Sequence, residues 1–235
     1  MALPKLNAVP KYELTMPSTG KKHRYRPFLV KEEKVLLLAQ ESNDPKQMIY
    51  ALADMVESCV EGVDKKTLAP IDVEYSFLKV RAKSVGETSE LLMKCEKCEA
   101  QNPQVIDLDK IEPPVGKAQG KTKIDLGENI FVNLKIPSFV EMTDIDISAE
   151  SGTETVFNLI ALCVESIQTE DENINAKDVD ISELKEFIES MSVEQFGKIR
   201  EYIDTIPKLQ HTIEYNCSGC GHENKVELEG VQSFF

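Results

Sequence analysis

Two short cysteine turns constrain this chain more than anything else in it. "LLMKCEKCEA" places Cys95 and Cys98 three positions apart, and "EYNCSGCGHE" places Cys217 and Cys220 at the same spacing more than a hundred residues later. A two-residue gap lets both sulfurs of one turn face a single ion, and two such turns complete a tetrahedral four-thiolate shell. If the pairs share one ion, the two cysteine turns must lie side by side. Each pair sits in a polar turn between strand-like runs, "SELLMKCEKCEAQNPQVIDLD" and "HTIEYNCSGCGHENKVELE". The expected ligands are Cys95, Cys98, Cys217 and Cys220, and the expected cofactor is a structural Zn2+. A closed four-thiolate site leaves no position for catalysis. Apparent zinc affinities of about 10–16 kcal/mol are large enough to weld two units together. Other uses stay open: two separate sites, each completed by a partner chain or by His222, or ligands no longer in use. A redox pair wants its first cysteine at a helix N-terminus in a βαβ pattern, which neither pair has.

The compartment argues against disulfides. No apolar run approaches the roughly 18 residues of a membrane span, and "MALPKLNAVPKYEL" has neither the basic start nor the apolar stretch of a secretory leader. A cytosolic chain keeps its six cysteines as thiols or metal ligands. Cys59 and Cys163 fall on apolar helical stripes and read as small core residues.

Self-similarity runs through the whole sequence. "YRPFLVKEEK" resembles "KIPSFVEMTD", with Pro27 and Pro137 110 apart, and "ALADMVESCV" resembles "LIALCVESIQ" on Val-Glu-Ser, with Val56 and Val164 108 apart. "VEYSFLKVR" resembles "VEQFGKIR", and the cysteine pairs come last in each series. Four matches in one order predict an α+β fold of two tandem repeats. The first spans 1–113, a Pro- and Gly-rich linker 114–119, and the acidic second 120–235. Each repeat reads as a β-hairpin, helices and a terminal Cys-x-x-Cys hairpin, the two terminal hairpins joining as a zinc-ribbon-like site. The first hairpin turns at Pro-Ser-Thr-Gly and its counterpart at Gly-Glu-Asn. Asp44 and Pro45 start an amphipathic helix through Met48, Leu52, Met55, Val56 and Cys59. The matching stripe is Val156, Leu159, Ile160, Cys163, Val164 and Ile167. "DISELKEFIES" (180–190) is one extra helix in the second repeat.

Charge separates the halves. Residues 1–118 hold 18 basic and 18 acidic side chains, so the remainder holds 9 and 23 and carries the whole net charge of −14. So acidic a half repels phosphate backbones, which argues against nucleic acid as a partner there. It is either a solubilising surface or a docking face for a basic protein, with Glu183, Glu186 and Glu189 on the extra helix as its clearest cluster. In the first hairpin, alternation would put Lys22, Arg24 and Arg26 on one face, solvated or set against an acidic neighbour. The closing Phe234 and Phe235 either tuck into the core or anchor in a partner's pocket.

A search for an active site finds none. "GKAQGKT" (116–122) imitates a phosphate loop, but it follows Pro-Pro and leads into a strand, where the anion needs a helix N-terminus. His23, His211 and His222 are a thin supply for acid–base work, and no His-Glu-x-x-His or Gly-x-Ser-x-Gly is present. "TEDENINAKDVD" (169–180) lacks the glycine and closing glutamate of a calcium loop.

The phrases "LPKLNAVPKYELTMPSTGKKHRYRPFLVKEEKVLLLAQES" and "VEYSFLKVRAKSVGET", with the closing "CSGCG…FF", resemble the T4-type bacteriophage baseplate protein family. The likeness is strongest from Leu3 to about Glu90. It implies a protein that serves assembly of the central hub of a contractile tail's baseplate, as a chaperone or a minor hub component, without enzymatic activity. The implied partners are baseplate hub or tail proteins of a phage, met in the host cytoplasm during assembly or in the virion tail baseplate, with no membrane involved. The resemblance carries over no site residue beyond the cysteine pairs, and nothing in the sequence sets the oligomeric state. The rival reading is a zinc-ribbon nucleic-acid-binding accessory factor, which needs a basic surface around the cysteine turns; only Lys94, Lys97 and Lys225 are available. A thiol oxidoreductase is the third class.

Overall fold

In the computed structural model, which describes residues 9–112, 122–144 and 152–234, the chain opens with a hairpin. Strands β1 (Tyr12–Thr15) and β2 (Lys22–Tyr25) pair antiparallel, Tyr12 against Tyr25, across the Pro-Ser-Thr-Gly turn. Gly20 closes that turn at a φ of +67°, a region glycine enters without steric cost. Asp72 accepts the backbone N–H of Ser18 at 2.9 Å and pins the turn to a helix below it. Three helices follow: α1 (Val30–Ser42), α2 (Pro45–Cys59) and α3 (Pro70–Ser84). Asp44 caps α2 by accepting the N–H of Lys46 at 2.9 Å, and Pro45 fills the first helical position, where a missing N–H costs nothing. Strands β3 (Thr88–Lys94) and β4 (Gln101–Asp107) then form the first cysteine hairpin.

The second half uses a similar order. Strands β5 (Thr122–Gly127) and β6 (Ile130–Leu134) form a hairpin turning at Gly-Glu-Asn, and α4 (Gly152–Cys163) follows. Strands β7 (Val164–Gln168) and β8 (Asn173–Asn175) extend the hairpin to four strands in the order β5-β6-β7-β8. The extra helix appears as α5 (Ile181–Glu189), then α6 (Val193–Asp204), capped by Ser192. Strands β9 (Gln210–Asn216) and β10 (Glu223–Glu229) make the second cysteine hairpin. The architecture is mixed α+β with small antiparallel sheets. The linker expected at 114–119, the glycines of "GKAQGKT" and Phe235 lie outside the described residues.

One expected helix is cut short. Val164 and Ile167 do not continue the stripe of α4; they lie on β7, where they pair with Leu134 and Val132 of β6. The backbone N–H of Lys135 bonds the carbonyl of Cys163 at 2.8 Å, so the hairpin captures the helix end, and β-branched residues suit the ladder that follows. A similar capture occurs in the first half. Arg26 donates its N–H to the carbonyl of Cys59 at 3.0 Å, and Val60 bridges to Tyr25. The two helix ends so captured read Cys59-Val60-Glu61 and Cys163-Val164-Glu165, alike at a register four residues away from the Val-Glu-Ser match.

Another local arrangement is also shared. Arg26 bonds Glu32 at 2.8 Å, and the other oxygen of Glu32 accepts the N–H of Leu29 at 2.8 Å. Lys135 bonds Glu141 at 2.6 Å, and the other oxygen of Glu141 accepts the N–H of Ser138 at 2.7 Å. Arg26 is thus turned onto Glu32 and the carbonyl of Ser58, while Lys22 and Arg24 stay exposed.

Apolar side chains gather in three places. Leu14, Met16 and Tyr25 of the first hairpin pack on α2 and α3, with Phe139 from the second half beside them. The four-stranded sheet packs on α4, α5 and α6. The third core joins the halves: Ile71, Tyr75, Leu78 and Ala82 of α3 lie against Leu91 and Ile106 of one cysteine hairpin and Ile213, Tyr215 and Leu228 of the other. Phe234 is fully buried there, its carbonyl accepting from the hydroxyl of Ser89 at 2.7 Å, so this aromatic tucks inward.

Candidate metal centre

The third core sets the cysteine turns face to face. Both turns have the same backbone. Cys95 donates its N–H to the carbonyl of Ala100 at 3.0 Å and accepts at its own carbonyl from Glu99 at 2.9 Å. Cys217 does so with His222 at 2.8 Å and Gly221 at 2.9 Å. The fifth residue of each turn, Glu99 and Gly221, is left-handed, with φ of +59° and +70°. Glycine suits that position and Glu99 meets it at some cost. Behind the turns the strands are joined alike: Leu108 donates to Glu87 at 2.8 Å, and Gly230 to Leu209 at 2.9 Å.

The four sulfurs of Cys95, Cys98, Cys217 and Cys220 lie within 4.8 Å of one another, close enough to hold one metal ion. Two pairs cross between hairpins: Cys95 to Cys220 at 3.7 Å and Cys98 to Cys217 at 3.6 Å. Cys95 and Cys217 are buried, Cys98 and Cys220 exposed. The N–H groups of Cys220 and Gly219 hold the pKa of Cys217 down to about 6. At Cys98 the N–H of Ala100 favours the thiolate, but hydrogen bonds with Cys220 and Cys217 push it up to about 12. Burial opposes ionisation at Cys95, but the N–H groups of Cys98 and Lys97 prevail and lower it, so both buried positions favour thiolate. His222 gives the turn its backbone carbonyl, and the metal-competent group consists of four sulfurs among the described residues. Cys59 and Cys163 are buried elsewhere, their thiols raised by burial to about 11 and about 12, as core residues should be.

Two asparagines that sequence reasoning passed over complete the centre. Asn102 and Asn224 are 2% and 3% exposed. The side-chain oxygen of Asn102 accepts the N–H of Ser218 at 2.8 Å and its hydroxyl at 2.9 Å. The side-chain oxygen of Asn224 accepts the N–H of Glu96 at 3.1 Å. Each amide nitrogen bonds its own turn, at the carbonyl of Ala100 (2.8 Å) and of His222 (2.9 Å). Asn102 also reaches the sulfur of Cys217 at 3.7 Å. The signal was present: both turns read Cys-x-x-Cys-x-x-x-Asn.

The surroundings are mixed in charge. Lys94 and Lys97 are exposed beside Glu96 and Glu99, while Lys225 pairs with Glu214 at 3.0 Å. Glu183, Glu186 and Glu189 all lie exposed on α5. His23 bonds the carbonyl of Glu61 at 2.9 Å, and His211 packs near the ring of Phe234.

A family model described as T4 bacteriophage base plate protein matches residues 9–235. The chain belongs to this family. Membership covers nearly all of the sequence and gives the protein a structural role connected with the phage baseplate, among other proteins of that assembly. No curated protein and no solved structure matches the chain. Among the described residues no helix is long and apolar enough to cross a membrane.

Proposed function

We propose that this chain is a non-enzymatic assembly protein of the phage baseplate hub, a chaperone or a minor hub component, stapled by one structural Zn2+ on Cys95, Cys98, Cys217 and Cys220. The convergence of four sulfurs from two distant hairpins carries this reading. A tetrahedral zinc with bonds of about 2.3 Å has sulfur–sulfur edges of about 3.8 Å; the crossing separations of 3.6 and 3.7 Å fit. With four thiolates the shell is closed, so the ion would supply cohesion between hairpins and no chemistry on a substrate.

The chain reads as two copies of one unit, 1–113 and 120–235, joined by 114–119. Cys95 and Cys217, Asn102 and Asn224, and Leu108 and Gly230 are all 122 apart, and each pair makes corresponding hydrogen bonds. The Arg26–Glu32 and Lys135–Glu141 arrangements support the same reading. A clamped double unit is a rigid platform, and the exposed acids of α5 fit a basic protein partner.

Zinc content of protein purified without chelator tests the staple: one ion per chain is expected, and a metal-free preparation of full solubility removes it. Replacing Glu183, Glu186 and Glu189 with Gln is expected to end co-purification of hub proteins from infected cells. Unchanged recovery would refute the acidic docking face. Mass spectrometry of mature particles separates the two roles, since a hub component remains in the virion and a chaperone does not.

A further inference from the structure

We propose that α1 is a self-association face, pairing antiparallel with α1 of a second copy of this chain. The buried residues of α1 are Glu32 and Ala39, with Leu36 half-buried between them. At 3.6 residues per turn, the opposite pole runs through Val30, Lys34, Leu37 and Glu41, with Leu38 at its flank. Val30 is 79% exposed, Leu37 53% and Leu38 54%. Nothing in the fold of one chain requires large apolar side chains there. Val35, Tyr50 and Val85 are exposed nearby and widen the patch. Contiguous apolar surface of this kind marks a contact with another molecule.

Charge selects the occupant. Lys34 and Glu41 are seven residues apart, about 10.5 Å along the helix, too far to pair in one chain. Turning a second copy about a twofold axis between Leu37 and Leu38 sets Lys34 against the second copy's Glu41, and Glu41 against its Lys34. The same operation packs Leu37 on the second copy's Leu38. Each contact occurs twice because a twofold interface is isologous. A parallel pair would instead oppose Lys34 to Lys34 and Glu41 to Glu41. One helix pair buries less than the roughly 1,200 Å2 of a standard interface, so the association is weak and concentration-dependent.

Sedimentation equilibrium of the full chain from micromolar to near-millimolar concentration tests this, with zinc present throughout. Wild type is expected to dimerise. K34E and E41K each turn two attractions into repulsions and are expected to weaken the dimer at least about tenfold, equivalent to about 1.4 kcal/mol. The double variant K34E/E41K restores the complementary pattern and is expected to return affinity to within about threefold of wild type. L37S, which leaves the charges alone, is expected to abolish dimerisation. A wild-type chain monomeric at every concentration, as expected if α1 instead receives a different protein, overturns the proposal. So do single reversals without effect, or a double variant no tighter than the singles.

Discussion

Asn102 and Asn224 each hold the turn that carries the other's pair of cysteines. Asn102 accepts the N–H of Ser218 at 2.8 Å, Asn224 accepts the N–H of Glu96 at 3.1 Å, and both are buried. Each turn is thereby held from the opposite hairpin. Outer-shell groups of this kind typically change metal affinity by 10–100-fold. Asn102→Ala and Asn224→Ala are each expected to weaken zinc binding by about that factor, read by competition with a chromophoric chelator. Because the brace is reciprocal, the double variant should lose less than the product of the two single effects. Unaltered affinity in both singles would show that the asparagines serve folding alone.

Removing the metal should loosen the contact between the halves without unfolding either. The third core holds the cysteine hairpins on α3 through Tyr75, Leu78, Ile106 and Leu228, so apolar packing remains after the ion leaves. A ligand bound at a thousandfold excess over its dissociation constant adds about 4 kcal/mol, and melting should fall by roughly 10 °C on chelation. Cys95→Ser and Cys217→Ser should each lose bound zinc and reproduce that shift. Thiols must shed their protons to bind, so zinc release should follow acidification. Calorimetry with and without chelator reads the first effect, and metal content against pH the second.

The sequence made the meeting of the cysteine turns legible because the spacing has its own geometric logic: two sulfurs per turn supply half a shell. Hairpin turns and the extra helix were equally readable, from Pro-Ser-Thr-Gly, Gly-Glu-Asn and the apolar stripe that buries Leu184 and Ile188. The register of the halves was not. Val-Glu-Ser occurs in both, but at 56–58 it lies inside α2 and at 164–166 on β7. The likeness that the structure does show is the capture of a helix end by a hairpin, through Arg26 and Cys59 and again through Lys135 and Cys163. Such a contact joins residues distant in sequence and leaves no local pattern. The outward Leu37 and Leu38 were hidden for a related reason, since an apolar run on a short helix looks like core until its neighbours are known.

Glu32 and Glu141 carry equivalent clamps in unequal surroundings. Burial raises Glu32, but the Arg26 guanidinium and the N–H of Leu29 prevail and hold it below the usual carboxylate range. Glu141 is lowered in the same way, by Lys135 and the N–H of Ser138 against burial. A depressed carboxyl contributes stability above its unfolded value of about 4.3, lost as pH falls through the folded value. Glu32→Gln should cost about 2 kcal/mol at neutral pH, since it breaks a charge-assisted bond at a site 6% exposed. Glu141→Gln, on a more open pair, should cost about 1 kcal/mol. Both deficits should shrink below pH 4. Urea denaturation at pH 7 and at pH 2.5 checks this, and equal deficits at both values would rule out an ionic clamp.

Glu74 should oppose that trend. Its carboxyl lies on α3 beneath the end of β10, where burial, with Glu229 nearby, raises it to about 7 despite the N–H of Val231. The sign is the reverse of Glu32: the folded state holds this proton more tightly than the unfolded chain. Stability is therefore lost as pH rises from about 4.3 toward 7, at up to about 1.4 kcal/mol per unit, and is flat above that. Glu74→Gln keeps an acceptor for Val231 and cannot ionise, so it should be more stable than wild type at pH 8 and close to it at pH 5. The comparison is cleanest with zinc bound throughout that range. A variant less stable than wild type at pH 8 would mean that the charged carboxylate is accommodated after all, and that the contact between α3 and the last hairpin gains from ionisation.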